Sequence, residues 1–182
     1  MRAVVLMLGD PRYQRVWGEL AETVRTGQPG AERALGSSLW DYTEQDPQFG
    51  AVFHASMSRL TTLDWPTVAA VYDFTRFSRI VDVGGGHGQL LALMLTAAPA
   101  AEGVLFERAA MAGAAEHLLR EAGVLQRCRI EAGSFFEFVP TDGDLYVLRR
   151  VLHDFDDDQA VAILTTLRSH MPDGATLLLV EC

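Results

Sequence analysis

The chain is expected to fold as an α/β protein: a mostly parallel sheet of about five strands, preceded by a helical segment. Three observations predict this. From residue 79 onward, short β-rich runs alternate with helical patterns, which is the signature of βαβ units and a sheet covered on both faces. Two of those runs, Leu145-Tyr146-Val147-Leu148 and Leu177-Leu178-Leu179-Val180, are almost wholly apolar, as a strand buried on both sides requires. Before residue 79 the apolar residues recur at helical spacing and no strand pattern stands out.

In chain order, helices are expected over 13–25, 48–60 and 66–77, broken by Gly27, Pro29-Gly30 and Asp46-Pro47. Strands are then expected over 79–83, 103–107, 127–131, 144–148 and 175–181, with helices over 88–98, 110–122 and 157–170 between them. The last helix carries Ala160, Ile163, Leu164, Leu167 and Met171 on one stripe. Asp157 and Asp158 stand at its positive end, and Pro172 and Gly174 follow its close. The change of pattern divides the chain into a helical segment, 1–78, and a sheet domain, 79–182.

Composition narrows the function classes. Hydrophobic residues at 49% and charged ones at 21% are ordinary for a globular chain and argue against disorder. A net charge of −9 repels phosphate backbones, so a nucleic-acid partner is not expected. Cys128 and Cys182 lie far apart and outside any metal-ligand pattern, so neither a disulfide framework nor a metal site is expected, and the cytoplasm is the default compartment. The apolar stretch 3–8 is too short to span a membrane and lacks a cleavage signal, so no membrane association or leader is expected.

The most informative segment is Asp82-Val83-Gly84-Gly85-Gly86-His87-Gly88, set between a buried strand and an apolar helix. Glycines suit a tight reversal where a ligand approaches the backbone without meeting Cβ atoms. The spacing is G-x-G-x-G, and Gln89 stands where a dinucleotide site would place its third glycine. Glu107 ends the next strand twenty-three residues after Gly84, where a carboxylate can accept both hydroxyls of a ribose. That acid suits a nicotinamide dinucleotide and S-adenosylmethionine equally; the glycine spacing leans towards the latter.

Taken with Leu105-Phe106-Glu107, Gly133-Ser134-Phe135-Phe136 and Leu152-His153-Asp154-Phe155, this turn resembles the large O-methyltransferase family of the plant caffeic acid, animal acetylserotonin and bacterial polyketide enzymes. The resemblance runs along essentially the whole chain. It implies a Rossmann-like methyltransferase domain that binds S-adenosyl-L-methionine and methylates a hydroxyl of an aromatic or polyketide-like small molecule. By the family pattern, Gly84 and Gly86 touch the cofactor, Glu107 holds its ribose, and Ser134 and Phe135 meet its adenine. Serine stands where the family usually has aspartate, which implies weaker binding. Arg149, in place of the usual lysine, helps close the cofactor site, and Thr61 reaches the methionine tail. Phe53-His54-Ala55-Ser56-Met57 resembles a stretch whose phenylalanine and methionine flank a flat acceptor, so Phe53 and Met57 are candidates for substrate contact; core packing at helical spacing is the equal alternative.

The same resemblance makes His153 the general base, with Glu181 as one of two carboxylates flanking it and Asp154 orienting substrate. A phenol titrates at about 10 and an unperturbed imidazole at about 6.5, so full proton transfer is uphill by about 5 kcal/mol. A carboxylate beside the ring reduces that cost, and alignment of the reacting atoms supplies a large share of the acceleration. Family members also carry an N-terminal helical domain that pairs subunits, and further strands after the fifth. The resemblance therefore implies that this chain is part of a longer homodimeric enzyme. Two other readings remain: a non-catalytic or divergent S-adenosylmethionine-binding relative, such as a hydroxylase, and a nicotinamide-dependent oxidoreductase.

Overall fold

The computed structural model describes residues 1–181; Cys182, half of the cysteine reading above, lies outside the described residues. The chain forms two compact units, Met1–Leu63 and the remainder from Asp64.

The first unit is helical. Helices α1 (Arg2–Leu8), α2 (Pro11–Gly18), α3 (Leu20–Thr26), α4 (Gly30–Leu35) and α5 (Leu39–Gln45) lead into the long α6 (Pro47–Val71). Asp10 and Ser38 cap α2 and α5, their side chains accepting the N–H of Arg12 and Asp41. The helix expected over 13–25 is thus two helices, separated at Glu19. The short helices α4 and α5 carried no long periodic stripe to reveal them. Phe49 and Phe53 of α6 are buried with Met7, and Trp40 and Tyr42 pack against them. Among the described residues no helix is long and apolar enough to cross a membrane.

Two expected helices, 48–60 and 66–77, are one: α6 runs straight through Pro66 and ends at Val71. Proline inside a helix costs about 3 kcal/mol. Trp65 and Val68, on either side of Pro66, pack against the core of the second unit, as do Tyr72, Phe74 and Phe77 after the helix ends. That packing offsets the cost and places the division between units at Leu63, earlier than the change of pattern at residue 79.

The second unit is a five-stranded sheet of β1 (Arg79–Val83), β2 (Glu102–Glu107), β3 (Cys128–Ala132), β4 (Leu145–Arg149) and β5 (Thr176–Val180). Helices α7 (Gln89–Ala97), α8 (Ala112–Glu121) and α9 (Asp157–His170) connect β1 to β2, β2 to β3 and β4 to β5. Every pairing is parallel and the order is β3-β2-β1-β4-β5. The pleat sends alternate residues to two cores. Ile80, Leu105, Leu145 and Val147 join the apolar face of α7 and α8, while Val81, Val83, Phe106, Tyr146 and Leu148 join Ile163 and Leu167 of α9. The start of α9 is fixed by a capping box, with Asp156 accepting the Gln159 N–H and the Gln159 side chain accepting the Asp156 N–H.

One expectation needs correction. β5 was read as buried on both sides, yet Leu179 is 44% exposed. Among the described residues β5 pairs only with β4, so it is an edge strand. Leu178 and Val180 are half-buried against one core and Leu177 against the other.

Candidate active site

A parallel sheet brings the carboxyl ends of all its strands to one edge, and here the order reverses between β1 and β4. Chain segments leave those two strands in opposite directions, the arrangement beside which ligands of open α/β sheets bind. The glycine turn follows β1, Glu107 ends β2, Ser134 and Phe135 follow β3, Arg149 ends β4 and Glu181 follows β5. Residues far apart in sequence therefore share one rim.

The glycine turn is held by its own backbone. The Gly84 N–H donates to the Phe106 carbonyl at 2.8 Å, and the Gly88 N–H to that of Gly85 at 2.9 Å. Gly84 has φ of +69°, and a Cβ there would lie 3.0 Å from Val151 Cγ2 and 3.4 Å from Phe135 Cε1. Gly86 has φ of +58° but would meet nothing within 4 Å. Gly84 is thus required by conformation and by close packing, whereas Gly86 turns a bare backbone face to open space.

Glu107 binds that backbone. Its Oε2 accepts the Gly86 N–H at 2.8 Å and its Oε1 the Arg108 N–H at 2.8 Å. Each oxygen keeps a further lone pair for a ligand hydroxyl. Ser134 Oγ accepts the Phe136 N–H at 3.3 Å, and Phe135 stands edge-on to Phe155 with centroids 5.7 Å apart. Arg149, only 9% exposed, donates to Asp64 Oδ2 at 2.6 Å, and Arg150 donates to the same oxygen at 3.0 Å. Arg150 also has φ of +53°, the one non-glycine residue in the left-handed region among those described.

Beneath the turn lies Asp82, 1% exposed. Its carboxylate accepts the Leu91 N–H in the first turn of α7, one of the donors that a helix start leaves unpaired. Its other oxygen, Oδ2, has no hydrogen-bond partner. Burial, reinforced by the negative charge of Glu107 and opposed by Leu91 and Arg149, pushes this carboxyl up to about 7.

His153 sits in a 3-10 turn, Leu152–Asp154, immediately before α9. Its Nδ1 is 2.9 Å from Glu181 Oε2, and its Nε2 is 3.4 Å from Asp154 Oδ1. The other oxygen of Glu181 accepts the N–H groups of Val151 and Leu152 at 3.1 and 3.0 Å. Glu181 therefore fixes both the ring and the backbone leading to it. Burial pushes the Asp154 carboxyl up to about 6, with His153 opposing the rise and Glu181 adding to it. Both ring nitrogens thus face carboxylates. The sequence reading gave Asp154 to substrate; the 3-10 turn also brings it beside the ring.

Phe53, Met57 and Thr61 belong to the helical unit. Phe53 is 5% exposed, edge-on to Trp40 at 5.9 Å and stacked on Phe49 at 6.3 Å, and Met57 packs against the same cluster. The Thr61 hydroxyl donates to the Met57 carbonyl at 3.0 Å. Packing within the unit accounts for these positions as they stand. Asp64, Asp82, Arg150, Val151 and Phe155 were missed as contributors to the sheet-end site. Asp82 and Phe155 lay inside motifs already quoted, Asp82 as a carboxylate within the strand, and neither was given a role.

The O-methyltransferase domain family matches residues 17–182. The mitomycin biosynthesis 6-O-methyltransferase of Streptomyces lavendulae is 39% identical over 94% of this chain and 49% of its own length. The phenazine O-methyltransferase of Lysobacter antibioticus is 38% identical over 100% of this chain and 53% of its own. An O-methyltransferase from neocarzinostatin biosynthesis, crystallised with S-adenosylmethionine and 2-hydroxy-5-methyl naphthoic acid, superposes with a TM-score of 0.85 at 37% identity, covering 92% of this chain and 53% of that one. The chain spans about half the length of the relatives it matches.

Proposed function

Because this chain belongs to the O-methyltransferase family, we propose that its sheet-end site binds S-adenosyl-L-methionine and transfers the methyl group to a hydroxyl of an aromatic or polyketide-like small molecule. The observation that carries the reading is the histidine held at Nδ1 by Glu181, at the same sheet edge as a glycine turn whose Gly86 backbone lies open.

The residues fit the cofactor. Open space over Gly86 admits an amino-acid tail, the Glu107 carboxylate has acceptor capacity for a ribose diol, and the Phe135 ring offers an apolar surface for a planar base. Ser134 gives the adenine amine an uncharged partner, and Arg149 closes the side of the site at the end of β4. When bound, S-adenosylmethionine supplies an electrophilic methyl carbon on a sulfonium.

The chain's own part is to orient the acceptor and to take its proton. Glu181, accepting from Nδ1–H, fixes the tautomer in which Nε2 carries the lone pair, so Nε2 of His153 receives the hydroxyl proton. The imidazolium so formed lies between two carboxylates, which offsets part of the roughly 5 kcal/mol separating a phenol from an unperturbed imidazole. Asp154, with its raised affinity for a proton, meets the acceptor hydroxyl in its neutral form as a donor or in its charged form as an acceptor. In the full-length protein we read the active form as a cytoplasmic homodimer.

The test is transfer of labelled methyl from S-adenosylmethionine to a panel of phenolic acids, hydroxynaphthoates among them, using the full-length protein. His153→Ala is expected to abolish transfer while leaving S-adenosylmethionine affinity within about threefold, since general-base help is typically worth 10²–10⁴-fold. An active variant removes His153 from the mechanism. Binding of NAD without binding of S-adenosylmethionine overturns the whole reading.

A further inference from the structure

The segment that carries His153 meets the glycine turn at one place and the segment after β3 at another. Gly84 has no Cβ, and that absence lets Val151 Cγ2 approach to within 3.0 Å of where one would stand. Phe155, two residues after His153, meets Phe135 and Phe136 edge-on, with centroids 5.7 and 5.3 Å apart and interplanar angles of 82° and 85°. Phe135 and Phe136 are themselves 5.2 Å apart, so the three rings form a closed cluster. The Phe155 N–H donates to the Leu152 carbonyl at 3.2 Å and the Asp154 N–H to that of Val151 at 3.1 Å, which ties the aromatic cluster to the short turn carrying His153. Phe135, Leu152 and Phe155 also pack on one apolar core.

Edge-to-face contacts fix ring planes relative to one another. A ligand ring laid against Phe135 settles the plane of that ring, hence the seat of Phe155, hence the backbone of Leu152–Asp154. Resting on the cofactor reading above, we propose that Phe155 is a positioning residue that couples occupation of the Phe135 face by a purine to the setting of His153. The coupling runs both ways: whatever favours the ordered histidine turn also favours purine binding by the same factor.

The experiment uses the full chain with isotope-labelled histidine and S-adenosylhomocysteine as the probe. His153 imidazole resonances are assigned with a His153→Asn variant. In the native chain and in Phe155→Trp, the probe is expected to shift those resonances. In Phe155→Leu, binding should persist with affinity lowered by about five- to 150-fold at most, the scale of two lost aromatic contacts, while the probe-induced shift at His153 is lost. A merely structural role would not erase that response in a folded variant, so the melting temperature and circular dichroism of each variant are recorded alongside. Should Phe155→Leu fail to fold, Phe155→Met carries the same comparison. A full shift in the folded aliphatic variant overturns the coupling. Failure of the native chain to bind the probe overturns the cofactor reading instead, and the coupling with it; native binding with no shift at His153 overturns the coupling only.

Discussion

Replacing Asp82 by asparagine tests the electrostatics beneath the glycine turn. The carboxyl is fully buried and titrates at about 7 instead of 3.8, so keeping it ionised in the folded state costs about 4 kcal/mol. The sign follows from the raised value. The folded chain holds the proton more tightly than the unfolded one. The associated stability is therefore complete below about pH 4, is lost as pH rises, and is gone about a unit above 7. Asparagine keeps a carbonyl oxygen for the Leu91 N–H and never ionises. Its amide nitrogen lies where Oδ2 has no partner, which adds a pH-independent offset of about 1–3 kcal/mol, so the slope is the quantity to compare. Urea unfolding of both proteins, followed by circular dichroism from pH 5 to 8, should show the variant gaining about 3 kcal/mol relative to the native chain. A difference that stays constant within about 0.5 kcal/mol across that range would refute the burial argument.

Three further outcomes are expected. Gly84→Ala forces a side chain into a left-handed conformation and against Val151; a loss of about 1–2 kcal/mol from the backbone alone should appear as a lower melting temperature, with weakened S-adenosylhomocysteine binding. Tyr146→Phe removes a buried hydroxyl that donates to the Pro140 carbonyl at 2.6 Å and accepts the Gly143 N–H at 3.2 Å; denaturant unfolding should report a cost of about 1–3 kcal/mol. Ser134→Asp restores a charged acceptor after β3, and calorimetry should show S-adenosylhomocysteine binding tightened by about three- to tenfold; unchanged affinity removes Ser134 from the purine contact.

How much of this was legible in the sequence depends on range. The strand at 79–83 and the helix over 157–170 are readable to the residue because their signals are local: an apolar run before glycines, and an acidic cap before a periodic stripe. The same holds for the alternation of strands and helices along the chain and for the glycine turn, whose close approach and left-handed conformations only glycine accepts cheaply. Pro66 misled for the opposite reason. A local rule placed a boundary there, and burial of Trp65 and Val68 outweighed it.

The site itself is a product of tertiary structure. Glu181 reaches His153 because β4 and β5 run parallel with Arg149 opposite Val180, so the segments leaving both strands emerge side by side; nothing in the 27 intervening positions states that register. Asp154 turns onto the same ring through a 3-10 turn too short to have a periodic signal. The proton affinity of Asp82 depends on how completely the sheet and α7 exclude water from it, which is a property of packing and not of composition. Sequence by itself determined the α/β class, the alternation of elements and the candidate residues. Their convergence at one sheet edge, and the environment each meets there, came from strand order, register and burial, because those arise from contacts between segments that no local pattern encodes.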